Sequence, residues 1–258
     1  MTLIADLSIF ADPAVLTSLV TLTVLEIILG VDNIIFISIV SNKLPAEQQP
    51  RARTLGLIIA MAFRIMLLLA ISWIISLTEP VFTIGFIKNE AGEGLGISWK
   101  DLILIAGGIF LVFKSTLEIH HKMKRHDPGA PKKAPSSFSA VIFQIVLVDA
   151  VFSFDSILTA VGLVEEVLVM IVAVVISMTI MIFFAGPISR FINKQPTLQI
   201  LALAFLIMIG VMLVAEGFHE EINKAYIYSA IAFSLVVELI NMRLRKNSET
   251  VQLNNEEL

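Results

Sequence analysis

The chain reads as seven long apolar runs separated by short polar breaks, at about 14–41, 53–77, 100–118, 138–162, 166–190, 197–216 and 224–243. Each is near or above the roughly 20 residues that carry a helix across the hydrocarbon core of a bilayer. None alternates apolar and polar positions as a barrel strand must, so each predicts a transmembrane helix. The breaks differ in charge. Lys43, Arg51 and Arg53 follow the first run, and Lys122, Lys124, Arg125, Lys132 and Lys133 follow the third. Arg190 and Lys194 follow the fifth, and Arg243, Arg245 and Lys246 the last. The opposite breaks are acidic or mixed, with Asp6, Asp12, Glu90, Glu93, Glu165, Glu166, Glu220 and Glu221. The positive-inside rule then puts the N-terminus outside and the C-terminus in the cytoplasm.

A Pro-, Ser- and Lys-containing stretch at about 119–137 reads as a cytoplasmic linker between two similar halves. In the first half, EIILGVDN places Glu26 six residues before Asp32 and Asn33. In the second, DAVFSFDS places Asp149 six residues before Asp155 and Ser156. One offset aligns all three pairs. The third and sixth runs also match, GIFLVFK from Gly108 against GVMLVAE from Gly210. Three helices per copy is an odd number, which turns the second copy over relative to the first, the inverted-repeat plan of many secondary transporters. The expected fold is all-α and polytopic: repeat 1 at about 14–118, repeat 2 at about 138–216, a seventh helix at 224–243, and a polar tail over 244–258.

Composition agrees and narrows the chemistry. Hydrophobic residues make up 57% of the 258 positions, which makes the bilayer the expected solvent. The net charge of -4 and the absence of an aromatic-interleaved basic stripe argue against nucleic-acid binding. With no cysteine, any metal must be held by oxygen or histidine. The N-terminal stretch lacks a basic start and a small-residue cleavage site, so the first run is expected to be retained.

Against this background the acids inside apolar runs stand out. A carboxylate at the bilayer centre costs about 2.5–3.5 kcal/mol on insertion scales, and such groups mark transport pathways. Four of them, Glu26, Asp32, Asp149 and Asp155, outnumber the two bases set well inside the runs, Arg64 and Lys114. Protons, water or a bound cation must supply the rest of the compensation. On a straight helix Glu26 and Asn33 share a face while Asp32 points about 120° away. Gly30 is therefore expected to unwind the first helix and free carbonyl oxygens. Acids, an amide and hydroxyls form a hard oxygen set suited to Mn²⁺, Mg²⁺ or Ca²⁺.

These residues resemble a known family. EIILGVDNIIFISI paired with QIVLVDAVFSFDSILTAVGL, followed by LIMIGVMLVAEGFHEEI and AYIYSAIAFSLVVELINM, is similar to the TerC family of integral membrane proteins over about residues 14–245, in particular to short members without appended soluble modules. The resemblance implies a multi-pass protein of the bacterial inner membrane with a role in metal homeostasis, manganese export in several members. It assigns ion binding to Glu26, Asp32, Asn33, Asp149, Asp155 and Ser156. Nucleotide-sensing modules of longer relatives are not expected here.

The remaining charged positions admit two readings each. Lys114 and Glu216 occupy matching repeat positions and either pair across the symmetry axis or snorkel to the interface. Arg64 either neutralises the site when no ion is bound or locks helices together. Glu238 either carries protons or caps packing contacts. His120, His121 and His126 either sense metal or are interfacial, and Glu118, Glu220 and Glu221 are expected to be solvated. The expected function is secondary export of a divalent cation, manganese above others, driven by protons or membrane potential as the two repeats rock. No enzyme activity and no tightly bound cofactor are expected; the partners are the ion and the lipid bilayer, and no protein partner is assigned. An intramembrane aspartyl protease would also place two acids on membrane helices, but GVD is not its G-x-G-D signature. A helper of secretion or membrane insertion would not need duplicated acids.

Overall fold

The computed structural model of the chain describes residue 10 and residues 12–88, 94–123, 137–161, 164, 166–220 and 222–247. Its elements in order are α1 (Pro13–Ser41), α2 (Gln49–Leu69), α3 (Ile71–Ser76), β1 (Pro80–Lys88), β2 (Gly94–Ser98), α4 (Trp99–Met123), α5 (Phe138–Val161), α6 (Val167–Asn193), α7 (Pro196–Gly217) and α8 (Lys224–Asn247). Among the described residues, six helices are long and apolar enough to cross a membrane: α1, α2, α4, α6, α7 and, over Lys224–Leu244, α8. The apolar stretch of α5 is shorter, Phe138–Phe154. Apart from the second, each apolar run coincides with one helix to within about five residues.

Local chemistry sets several of the boundaries. The Asp12 side chain caps α1 by accepting the Ala14 N–H at 2.9 Å, with Pro13 in the first turn. Pro50 and Pro196 open α2 and α7 in the same way. Ser98 and Asp101 form a reciprocal capping box at the start of α4: Asp101 Oδ2 accepts the Ser98 N–H at 2.8 Å, and Ser98 Oγ accepts the Asp101 N–H at 3.2 Å.

Two expectations are corrected. The second run is not one helix over 53–77: α2 stops at Leu69, Ala70 leaves helical geometry, and the short α3 follows. The fold is also not wholly α-helical, because two strands occupy the polar break that follows. β1 and β2 form an antiparallel hairpin with Phe82 opposite Ile97 and Thr83 opposite Gly96. The sequence VFTIGFI carries the β-branched and aromatic residues a strand needs.

The chain divides into two compact units, residues 1–222 and 223–258. The second contains α8. In the first, α1 packs on α6, α2 on α5 and on α6, and α4 on α7. The ends of α1 and α6 meet through Ser38 Oγ and Ser189 Oγ, 2.7 Å apart, and through the Asn42 and Asn193 amides, so these helices run parallel. Helices α2 and α5 are also parallel, since Gly56 faces Ile145 and Arg64 faces Ser153. Helices α4 and α7 are antiparallel. Their contact is reciprocal: a Cβ on Gly108 would lie 2.4 Å from the Gly210 carbonyl oxygen, and one on Gly210 would lie 2.8 Å from that of Gly108. Val214 and Val112 flank the two glycines in matching fashion.

Large side chains also line the outside of the helices. Phe143, Phe183, Phe184 and Val211 are all more than half exposed. Apolar surface on both faces of a helix is what a lipid environment calls for.

Candidate ion site

Arg64 is the hub of a buried polar cluster in which three helices converge. Its guanidinium spends each nitrogen on a different residue. Nε donates to Ser153 Oγ at 2.9 Å, Nη1 donates to Glu26 Oε2, and Nη2 donates to Asp149 Oδ1 at 3.2 Å. Asp149 also accepts the Asn33 amide on Oδ1 at 3.2 Å and the Ser153 hydroxyl on Oδ2 at 3.0 Å. Ser156 donates to the Ser153 carbonyl at 3.3 Å, and its hydroxyl lies beside Glu26. None of Glu26, Asn33, Arg64, Asp149, Ser153 and Ser156 is more than 8% exposed.

Glu26 and Asn33 come from α1, Arg64 from α2, and Asp149, Ser153 and Ser156 from α5. Glu26 and Asp149 hold the same position in the two motif copies, and Arg64 bridges them. The electrostatics follow from the count. Burying a single carboxylate here would cost several kcal/mol, and its pairing offsets that only when geometry and further hydrogen bonds are good. One guanidinium faces two carboxyl groups. Among the described residues, Asn33 Oδ1 is buried without a hydrogen-bond partner and adds an acceptor to the cluster. Among the described residues, no three acids or histidines gather into a metal cluster. Asp32 and Asp155 are helical residues of α1 and α5 whose side chains fall outside the described set.

The expected unwinding at Gly30 does not occur, because α1 is helical throughout Pro13–Ser41. Gly30 has a packing role: a Cβ there would sit 2.3 Å from the Met181 sulfur. Aligned without gaps, IAMAFRIMLLLAIS from Ile59 and ISMTIMIFFAGPIS from Ile176 show the second span of each half to be related, with Arg64 opposite Met181 and Ser72 opposite Ser189. Ser153 matches Gly30 in the motif helices. The Arg64–Ser153 contact and the Met181–Gly30 contact are therefore equivalents, polar in one half and apolar in the other.

The antiparallel crossing of α4 and α7 sets Lys114 and Glu216 apart. Each lies six residues beyond the Gly108–Gly210 crossing on antiparallel helices, which carries them about 9 Å in opposite directions along the bundle. Lys114 instead has Lys43 and Glu118 as charged neighbours. Glu118 is buried and takes the Lys43 ammonium at 2.5 Å, contrary to its expected solvation. Lys122 donates to Gln199 on the same side. Glu238 lies on α8 in the second unit and is not among the residues that Arg64 joins. Asp101 was not singled out from sequence. It is buried and accepts from Ser98 Oγ at 2.7 Å, and His219, in the left-handed region at φ 62°, meets it at 2.9 Å.

Apolar helices enclosing a buried ion-pair cluster define a polytopic membrane protein with a charged centre. The sequence matches the Integral membrane protein TerC family over residues 11–252. It is 47% identical over 238 residues to the UPF0053 inner membrane protein YoaE of Escherichia coli (strain K12), covering 92% of this chain and 44% of that protein. It is 44% identical to the UPF0053 protein YegH of the same strain, covering 90% of this chain and 42% of that one. A UPF0053 protein of Haemophilus influenzae is 46% identical, covering 92% of this chain and 97% of that protein. The chain spans less than half the length of the two Escherichia coli relatives and nearly all of the Haemophilus one. No solved structure matches it. The chain belongs to the TerC family and is a multi-pass inner-membrane protein.

Proposed function

We propose that the chain is a secondary transporter that exports a hard divalent cation, manganese above others, through the cluster around Glu26 and Asp149. The observation that carries the reading is that these two acids, equivalent in the two motif copies, are buried together and already share one cation, the Arg64 guanidinium. Asn33 Oδ1, Ser153 and Ser156 add hard oxygen donors, and Asp32 and Asp155 complete the set by motif. Protons serve as the counter-ion, replacing the metal on the acids after release.

The accompanying topology has seven spans, with an inverted repeat of three plus three, the N-terminus outside and the C-terminus in the cytoplasm. The reciprocal Gly108–Gly210 contact supports the repeat, since helices related by an in-plane axis must meet it in the same way. The Asn42–Asn193, Lys43–Glu118 and Lys122–Gln199 contacts support the orientation, because they join the ends next to the basic breaks on one side. An aspartyl protease is disfavoured. Its two acids must share a proton and activate water, whereas Glu26 and Asp149 are occupied by Arg64.

The test is Mn²⁺ flux in proteoliposomes containing wild type, Glu26→Gln, Asp149→Asn, Asp32→Asn or Asp155→Asn. Each substitution is expected to cut flux at least about tenfold, since a lost charged ligand removes an interaction of more than 1.4 kcal/mol. Equal flux in all five would sink the assignment, and a phenotype surviving all four substitutions would point to a helper role.

A further inference from the structure

We propose that Arg64 is a tethered counter-cation that competes with the transported ion for Glu26 and Asp149, so that substrate binding and Arg64 binding are mutually exclusive. The inference rests on the transport reading and adds a positioning residue to it. Three observations support it.

First, the guanidinium occupies the acids as a ligand would. Its three nitrogens reach Ser153 on α5, Glu26 on α1 and Asp149 on α5, so one side chain satisfies both helices that supply the acids. A divalent ion takes oxygen ligands at about 2.0–2.6 Å. It would draw on the same two carboxylates, whose Oε2 and Oδ1 already accept from Arg64, and would stand within a few ångströms of that positive charge. Both cannot hold the acids at once.

Second, the two cations meet the same demand. Arg64 offsets one charge of the Glu26–Asp149 pair and a divalent ion would offset both, with Asp32 and Asp155 adding to the negative charge that a cation must meet. Removing either cation without supplying the other leaves two bare carboxylates in a low-dielectric interior, the costly case. Arg64 therefore limits that cost at the moment of release. A guanidinium keeps its charge at any pH the cell reaches, so it can leave the acids only by moving.

Third, Arg64 is the one charged residue in the two aligned stretches of the second spans, and it stands at the position that meets the motif helix. The second spans align with Arg64 opposite Met181, and both side chains meet the motif helix of the other half at matching positions, Ser153 and Gly30. A bridge needed only to hold the helices together would serve equally in both halves. A competitor is needed once.

The experiment uses purified full-length wild type, Arg64→Met, which gives both halves a methionine, and Arg64→Lys. Mn²⁺ binding is read from the concentration giving half-maximal thermal stabilisation, and transport from Mn²⁺ flux in proteoliposomes. For Arg64→Met the half-saturating Mn²⁺ concentration is expected to fall about tenfold, within the range of coupling between two ligands of one site, while flux also falls about tenfold. Tighter binding with slower flux is the signature of a competitor, since a purely structural arginine would weaken both. Should Arg64→Met fail to fold, Arg64→Lys carries the test: it keeps the charge but cannot reach three partners together, so it too should bind Mn²⁺ more tightly than wild type and release it more slowly. Binding equal to or weaker than wild type, or wild-type flux, in the folded variant overturns the proposal. Absence of Mn²⁺ binding and flux in wild type itself would instead overturn the transport reading.

Discussion

Replacing Gly108 with alanine tests how closely α4 and α7 approach. The added Cβ would lie 2.4 Å from the Gly210 carbonyl oxygen, 2.8 Å from Val214 Cγ2 and 3.0 Å from the Val214 nitrogen. Ordinary contact between heavy atoms begins near 3.5 Å, so the helices must part by about 1 Å. Two of the three atoms are backbone and cannot rotate away. Overpacking of this kind costs about 1–3 kcal/mol, from which alanine's helix preference over glycine returns about 0.5–1 kcal/mol. The difference, about 0–2.5 kcal/mol and centred near about 1.3 kcal/mol, corresponds at its centre to a fall in Tm of about 3–5 °C for a chain of this size. The control is Gly186→Ala, where the nearest atom to the new Cβ is an Arg190 nitrogen at 3.9 Å. There the helix gain is offset by the restriction on a residue before Pro187, and Tm should stay within about 2 °C of wild type. Thermal unfolding in detergent, followed by tryptophan fluorescence, reads both. A Gly108→Ala Tm at or above wild type, or an equal fall in Gly186→Ala, would refute the close-approach argument.

Gly30→Ala should cost less than Gly108→Ala by about 1 kcal/mol, because the obstructing atom is the mobile end of Met181 rather than backbone; the same melting assay ranks the two. Asp101→Ala removes the capping-box acceptor and the His219 partner together and should cost about 1–3 kcal/mol, read as a Tm loss. At His219 itself glycine should be better tolerated than alanine by about 1 kcal/mol, since both lose the contact with Asp101 but only glycine accepts φ 62° without penalty.

Hydropathy made the helices legible, because lipid requires long apolar runs and nothing else in the sequence imitates them. The motif acids were legible for a related reason: a charge inside such a run is conspicuous whatever it touches. What faces what was not legible. Arg64 was visible as a base within a run, but its three partners lie on α1 and α5, and only the alignment of the second spans, with Met181 opposite it, signals that the position is special. Gly30 shows the ambiguity in its sharpest form. Glycine permits both unwinding and close approach, and the choice was made by Met181, 151 residues away in sequence. Of the two readings of Lys114 and Glu216, pairing is disfavoured by the antiparallel crossing of α4 and α7 at Gly108 and Gly210, which carries the two residues in opposite directions.

The packing also bears on which bodies would move in the proposed transport cycle. If the two repeats rocked as units, the strongest contacts should lie within each repeat. Instead the parallel pairs α1–α6 and α2–α5 each take one helix from either half. Within the first pair, Ser38 and Ser189 touch hydroxyl to hydroxyl at 2.7 Å and are both buried. Arg64, by contrast, is bound within its own pair through Ser153 and Asp149 and across to the other pair through Glu26. Apart from the α2–α6 contact, the packing favours a sliding surface between composite pairs, through the proposed ion site, over one between repeats. A disulfide decides the matter, and the absence of native cysteine leaves no background. In Ser38→Cys/Ser189→Cys the two sulfurs replace touching oxygens, close to the separation a disulfide needs. Oxidation in proteoliposomes should join α1 to α6 and leave Mn²⁺ flux within about twofold of the reduced protein, a change of under 1 kcal/mol in the limiting barrier. Rocking of intact repeats would move α1 against α6, so flux lost on oxidation and restored by reductant would rule out the composite bodies.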